Sequence, residues 1–330
     1  MASIGSPFSP LWIDKKGADA QAVRRLKQGL INEEEFDLVS GFIANGYCII
    51  ENAIDGELID AYLREVEEMF DTRPDMWVTE GPDIKRLGEA QVNRALTKVL
   101  DTYMVTRRSL LMAFAPKLRR ALEIIFGEPA AVHQGLHFQV GSTQAIHQDT
   151  AYVVVKPALA LAAAWVALED VRPGSGELMY YRGSHRFDDF FYGEGRHWNT
   201  EAHGHDLHNH HLAWLHQEAL RLDRRLEYFW PKKGTLLIWH SDLAHGGAPI
   251  VNPAYTRKSI VFHYCPASAR PAYFDLPGAP MTSFHSAPEG SYASSYYPRF
   301  AGKEEEASTA AKPEPAGSTT TRAPQPKAAA

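Results

Sequence analysis

The sequence predicts a mainly β protein with helices (α+β), an antiparallel sandwich or jelly roll with N-terminal helices packed outside. Three observations predict this fold. Helical spacing of apolar residues is concentrated in the N-terminal third. From Val132 to Tyr264 the chain turns into β-rich segments separated by turn signals. Strands and helices do not alternate, and no Gly-x-Gly-x-x-Gly or P-loop lies between a strand and a helix, which argues against a doubly wound nucleotide-binding sheet.

Each element has a local reason. Residues 1–30 form an N-terminal extension. Asn32 is suited to cap a helix, because Glu33, Glu34 and Glu35 fill a first turn where the helix dipole favours acids. Phe36, Val39, Phe42 and Ile43 then follow helical spacing, and Gly46 supplies the stop. Tyr47 to Ile50 reads as a short strand. Asp55 caps a second helix with the apolar face Leu58, Ile59, Tyr62, Leu63, Val66 and Met69. A third helix opens at Pro116 and closes at Gly127, the usual N-terminal Pro, C-terminal Gly asymmetry. Strands follow at Val132–Val140, Tyr152–Val155, Leu159–Leu168, Glu177–Tyr181, Gly234–Trp239 and Ser259–Tyr264. Gly141-Ser142, Pro173 to Gly176 and Gly246 to Pro249 punctuate them. The expected organisation is one domain over 31–301, with a helical layer 31–128, a β core 130–270 and an insertion at about 187–226. The stretch 302–330 has no aromatic residue and no Ile, Leu or Val, so it is expected to be a disordered tail.

Composition narrows the function. The 330 residues carry 34 Lys and Arg against 40 Asp and Glu, a formal net charge of −6. That mild acidity gives no electrostatic reason to bind nucleic acid or an anionic membrane. The longest apolar run, Ala158 to Leu168, is too short to span a bilayer. The first residues show no basic stretch leading into an apolar one. A cytoplasmic protein acting on a small molecule is expected. Fifteen histidines stand against two cysteines, Cys48 and Cys265, which cannot form a disulfide framework or a Cys-rich zinc site.

One constellation carries chemistry. His147 and Asp149 are two residues apart, and on extended chain their side chains fall on the same face. His245, just beyond a strong strand, is the best third ligand, and the basic residue Arg257 follows twelve positions later. Two imidazoles and one carboxylate on one side of a metal, with open positions opposite, suit non-haem Fe(II) oxygen chemistry.

These residues, in this order, resemble the phytanoyl-CoA dioxygenase-like (PhyH) family of Fe(II)/2-oxoglutarate-dependent dioxygenases. The resemblance runs from Asn32 to Pro266. It takes in Glu33–Ile50, His147-Gln148-Asp149, Trp165 to Asp170, Gly174 to Leu178, Tyr181 to Arg186, Lys233-Gly234, His245-Gly246 and Asn252 with Arg257. It implies a double-stranded β-helix, the jelly-roll or cupin-like core, with iron held by His147, Asp149 and His245. It also implies 2-oxoglutarate as cosubstrate, its distal carboxylate paired with Arg257, whose planar fork suits a carboxylate better than the ammonium of Lys258. Trp165 stands at the cosubstrate-lining position, and Lys85-Arg86 is the expected region for a second basic contact. The implied reaction consumes O2 and 2-oxoglutarate, releases succinate and CO2, and hydroxylates a small organic substrate. The carboxylate at Asp149 favours hydroxylation over halogenation. The alternative is a cupin-like metal-binding protein, an isomerase or sensor, without oxygenase turnover.

The remaining histidines are read more plainly. His240 has the wrong strand parity to join His245 and is read as structural. His263 is read as a packed, hydrogen-bonded residue, and His133 and His137 as satisfied sheet histidines. The stretch from His197 to His216 holds seven histidines but no trusted zinc spacing, so it is read as a loop and short helix over the active-site mouth. Core packing of Trp165 weighs as heavily as cosubstrate contact.

Overall fold

The computed structural model describes residues 8–198 and 200–302, so the tail expected at 302–330 lies, apart from Gly302, outside the described residues. Six α-helices are described: α1 (Ala18–Lys27), α2 (Glu33–Asn45), α3 (Gly56–Thr72), α4 (Arg107–Ala113), α5 (Pro116–Phe126) and α6 (Thr200–Arg221). The caps are those the sequence predicts. The Asn32 side chain accepts from the Glu35 amide at 2.9 Å while the Glu35 carboxylate accepts from the Asn32 amide, a reciprocal capping box. Gly46 closes α2 in the left-handed region at φ 81°.

The strands are β1 (Tyr47–Ile50), β2 (Trp77–Glu80), β3 (Asp83–Arg86), β4 (Val99–Leu100), β5 (Ala130–Phe138), β6 (Val155–Lys156), β7 (Ala162–Ala167) and β8 (Leu178–Tyr181). They continue as β9 (Leu226–Phe229), β10 (Leu236–His240), β11 (His245–Gly247), β12 (Ser259–Pro266), β13 (Arg270–Pro271), β14 (His285–Ser286) and β15 (Ser291–Tyr292). The major sheet runs β1-β10-β7-β12-β5-β4-β2-β3, and a minor sheet runs β11-β8-β9. The β1-β10-β7-β12-β5 stretch is antiparallel throughout. This is a mixed α+β protein built mostly on sheets, as expected.

Alternation along the major strands sorts side chains between two environments. Ala162, Ala164 and Val166 of β7, Leu236 and Ile238 of β10, and Ile260 and Phe262 of β12 join the cluster formed with the helices. Ala163, Trp165 and Ala167, Leu237 and Trp239, and Val261 belong to a second cluster with Leu178, Tyr180 and Phe229 of the minor sheet. One face of the major sheet is therefore covered by helices and the other by the minor sheet.

Two expectations differ from the structure. Within the N-terminal third, expected to be mostly helical with one short strand, β2, β3 and β4 also extend the major sheet beyond β5 through the pairs Val78–Val99 and Val99–His137. Strands this short present too few apolar positions to show a period. Tyr152–Val155 is not a strand either. The backbone amides of Tyr152 and Val153 turn back to the Asp149 carbonyl at 2.8 Å, and pairing begins only at Val155.

Residues before Asn32 pack into the same apolar cluster as the helices, through Leu11, Ile13, Ala18 and Ala22. Trp12 donates its indole N–H to the Ile124 carbonyl at 2.8 Å. Asp14 is buried against His240, with Oδ2 at 3.2 Å from Nε2. In the neutral ring of His240, Nδ1 accepts from the Asp242 amide and Nε2 carries the hydrogen that faces Asp14; protonation gives up the Asp242 contact and leaves the Nε2–H on Asp14.

Burial opposes the charge on both partners, but their attraction outweighs it. Asp14 is held below its ordinary 3.8 and His240 above its ordinary 6.5. A raised histidine stabilises the fold below pH 6.5 and loses that contribution as pH climbs through its folded value. A depressed carboxylate contributes above pH 3.8 and loses it on acidification. The stability gap between wild type and Asp14→Asn, read from urea midpoints, is therefore expected to be widest between pH 3.8 and 6.5. It should narrow above that window, and a gap independent of pH would show that the pair carries no charge.

Candidate metal centre

His147 and His245 meet as an isolated antiparallel bridge that extends the minor sheet from β11. Each amide donates to the other's carbonyl at 2.9 Å. The pairing requires the chain at 142–146 to lie directly on β11. A Cβ on Gly246 would stand 2.7 Å from the Gln144 carbonyl oxygen, and one on Gly247 would stand 2.7 Å from the Ser142 hydroxyl. The two glycines after His245 are thus a condition of the close approach.

The bridge aims both rings. His147 Nδ1 lies 2.8 Å from the Ala145 carbonyl oxygen, and His245 Nδ1 lies 2.8 Å from that of Leu243. Each Nδ1–H donates to its own upstream backbone, which leaves both Nε2 lone pairs facing the site. Asp149 Oδ1 lies 3.7 Å from Nε2 of His147 and 3.6 Å from Nε2 of His245. The second oxygen, Oδ2, accepts from the indole N–H of Trp239 at 2.7 Å. One donor atom from each of His147, Asp149 and His245 lies within 4.8 Å of the others, and all three residues are buried, so together they could hold a metal ion.

The electrostatics suit a cation. Burial, with the neighbouring His245, pushes His147 down to about 3, so its ring is neutral and free to ligate near neutral pH. Burial opposes ionisation of Asp149, but the surrounding imidazoles of His245, His263 and His147 hold its carboxyl well below the usual range. An anionic oxygen and the neutral His147 nitrogen therefore face the same point as Nε2 of His245.

These three residues line a cavity of about 250 Å³ between the sheets. Arg257, Trp165, Phe138 and Lys98 also line it. Arg257 is only 2% exposed, and its Nε has no hydrogen-bond partner. Among the described residues it forms no ion pair. Its guanidinium lies 5.6 Å from the ring centroids of both Phe138 and Trp165. Burial pulls its pKa down to about 10, which leaves it charged near neutral pH. A buried, unpaired guanidinium costs several kcal/mol and is resolved when an anion enters beside it. The indole N–H of Trp165 is likewise buried without a partner.

Two positions differ from expectation. Lys85 and Arg86 lie on β3, where Lys85 pairs with Glu80 and Arg86 donates to the Asp75 carbonyl and stacks on Trp77. The basic residue on the cavity wall is Lys98, whose ammonium is lowered in pKa by burial and by the charge of Arg257. It sits beside a two-residue strand with no readable period. His263 is not a satisfied core histidine. It lines the cavity, its Nε2 lies 3.4 Å from Asp149 Oδ2, and neither ring nitrogen has a hydrogen-bond partner. A signal was present, because His263 is six residues beyond Arg257 and so shares its strand parity.

The reading of His240 as structural agrees with the structure. His133 and His137 are only half satisfied, because Nε2 of each is buried without a hydrogen-bond partner. Most of the seven-histidine stretch lies on the long helix α6 instead of a short one. His240 pairs with Asp14 away from the cavity. His137 meets the Tyr62 hydroxyl at 3.1 Å on the helical side of β5.

The chain matches the profile of the family described as phytanoyl-CoA dioxygenase (PhyH) over residues 42–259. No curated protein matches it in sequence. Among solved structures it is similar to the non-haem alpha-ketoglutarate-dependent epimerase SnoN from nogalamycin biosynthesis, at 19% identity and a TM-score of 0.55, covering 74% of this chain and 90% of that one. The carbocyclase SnoK from the same biosynthesis gives 16% identity and 0.56, covering 73% and 86%. EctD from S. alaskensis gives 17% and 0.53, covering 73% and 79%. At these identities the likeness is one of fold.

Trp239→Phe keeps a ring against His245 and deletes the N–H that holds Asp149. Cobalt(II) affinity of the metal-free protein is expected to fall by about 10- to 100-fold with an unchanged far-ultraviolet spectrum. Unchanged affinity would show that the carboxylate is oriented without the indole.

Proposed function

The chain belongs to the phytanoyl-CoA dioxygenase family, and from that premise we propose that it is a non-haem Fe(II)/2-oxoglutarate-dependent dioxygenase. In this reading it hydroxylates an unactivated C–H bond of a small organic substrate in the cytoplasm, releasing succinate and CO2. The catalytic unit would be 31–301, with 1–30 as its extension and 187–226 as an insertion over the mouth.

The observation that carries the proposal is Arg257, a buried guanidinium with no ion pair among the described residues, on the wall of the cavity that holds His147, Asp149 and His245. A simple metal-binding module of the cupin kind has no use for a buried cation there. A dicarboxylate that also chelates the metal does. His147, Asp149 and His245 would hold Fe(II), whose chemistry with 2-oxoglutarate and O2 supplies the oxidation.

The chain's own residues do the rest. Arg257 binds and orients the distal carboxylate, and Lys98 adds a second positive charge to the cavity lining. Phe138, Trp165 and Leu136 give the cavity apolar walls that exclude water. Trp239 keeps Asp149 Oδ1 facing the two histidines by occupying Oδ2.

Succinate formation by the purified protein with Fe(II) and 2-oxoglutarate, over a broad substrate panel, tests the reading. Anaerobic addition of both should give a visible metal-to-ligand charge-transfer band. Asp149→Ala is expected to abolish turnover and weaken metal binding. Arg257→Ala should raise the half-saturating 2-oxoglutarate concentration on the order of 100-fold while cobalt(II) affinity stays unchanged. A wild-type protein that binds metal but neither binds nor consumes 2-oxoglutarate would favour the cupin-like alternative.

A further inference from the structure

The histidine-rich insertion is built onto the segment that carries two of the three candidate ligands. Helix α6 is broken at Gly204, which has a φ of 67°. Beyond the break His208 and His211, three residues apart, lie on one helix face. Tyr152 meets His208 Nε2 at 2.9 Å, and Tyr192 meets Nδ1 of His208 at 3.0 Å and Nδ1 of His211 at 2.7 Å. His211 Nε2 lies 3.4 Å from Gln148 Oε1, and the Gln148 amide group donates to the Asp242 carbonyl at 2.8 Å.

The hydrogens of this chain have one consistent direction. Gln148 uses its NH2 on Asp242, so its oxygen accepts from His211 Nε2–H. A neutral His211 then accepts at Nδ1 from the Tyr192 hydroxyl. That oxygen accepts from His208 Nδ1–H, and His208 Nε2 accepts from Tyr152. The chain thus runs from Tyr152 through the insertion and returns at Gln148, straddling Asp149.

Other contacts from the insertion reach the same segment. The Trp198 amide donates to the Ala151 carbonyl at 2.9 Å. Arg196 lies half-buried between Asp189 and Asp242 at 2.7 Å from each, and Asp242 accepts from the Thr150 hydroxyl at 2.6 Å. Leu215 and Ala219 of α6 pack in one cluster with Ile146 and Ala244, the residues immediately before His147 and His245.

We propose that the insertion holds the ligand segment in place, with Tyr192, His208, His211 and Arg196 acting as positioning residues for the metal centre. The inference rests on the proposed metal-dependent function only for its consequence. The grip on 147–152 stands on the protein's own contacts. Without it, the turn that carries Asp149 keeps the His147 bridge, the Trp239 contact and the bonds of Gln148 and Thr150 to Asp242.

The test uses Tyr192→Phe, which deletes the hydroxyl shared by both histidines, and His211→Phe, which keeps the stack on Phe190 at 4.6 Å. Tyr181→Phe, which removes a contact to His216 at the far end of α6, is the control. In the metal-free proteins, hydrogen exchange of peptides spanning 147–152 should quicken several-fold in the first two variants and not in the control, with the melting temperature preserved. Their cobalt(II) affinity should fall by about tenfold, and the control's should stay within about twofold of wild type. Exchange at the wild-type rate in both variants would overturn the proposal. A wild-type protein that takes up no cobalt(II) would instead refute the metal centre, and the exchange arm would still decide the grip.

Discussion

The centre depends on the backbone pairing of His147 with His245. Two hydrogen bonds of 2.9 Å join segments that are distant in sequence. They set the two rings 4.5 Å apart and place Asp149 below both. Everything that makes the pairing possible is local and steric. Gly246 and Gly247 admit the chain at 142–146, and the carbonyls of Ala145 and Leu243 take the Nδ1 hydrogens that would otherwise leave each ring free to turn. A site held by backbone is preorganised, so little conformational freedom remains to be lost when a cation arrives.

The major sheet makes room for this arrangement by serving two solvents. Its even positions on β7, β10 and β12 feed the helical core, while the odd positions face the minor sheet. Trp239, Trp165, Val261 and His263 are consequently cavity residues by parity alone. The helices keep the outer face dry, which lets the inner face carry polar groups without unravelling the strands.

Burying charge is the recurring cost of this interior, and it is met in different ways. Asp14 and His240 satisfy each other. Arg196 lies between two carboxylates. Asp149 is ringed by imidazoles and an indole N–H. Arg257 is the exception: it lines the cavity, forms no ion pair among the described residues, and its Nε has no hydrogen-bond partner.

Much of this was legible in the sequence because it rests on short-range rules. Caps at Asn32 and Asp55, the Pro116–Gly127 helix and the main strands follow from local propensity and period. The His147, Asp149, His245 and Arg257 set follows from strand parity and from order along the chain. His263 was misread although its parity with Arg257 was legible, whereas Lys98 and Trp239 were missed for a common reason. Each owes its place to which strand lies beside which, and that is a long-range property. The partner of each remaining histidine was also illegible, because a seven-histidine stretch has no period that names Tyr152, Tyr192 or Gln148 as its contacts. The sequence by itself determined the caps, most of the longer strands and a candidate set of His147, Asp149, His245 and Arg257. Only the tertiary structure decided which side chains share the cavity, because sheet pairing and helix packing bring together atoms that no local pattern relates.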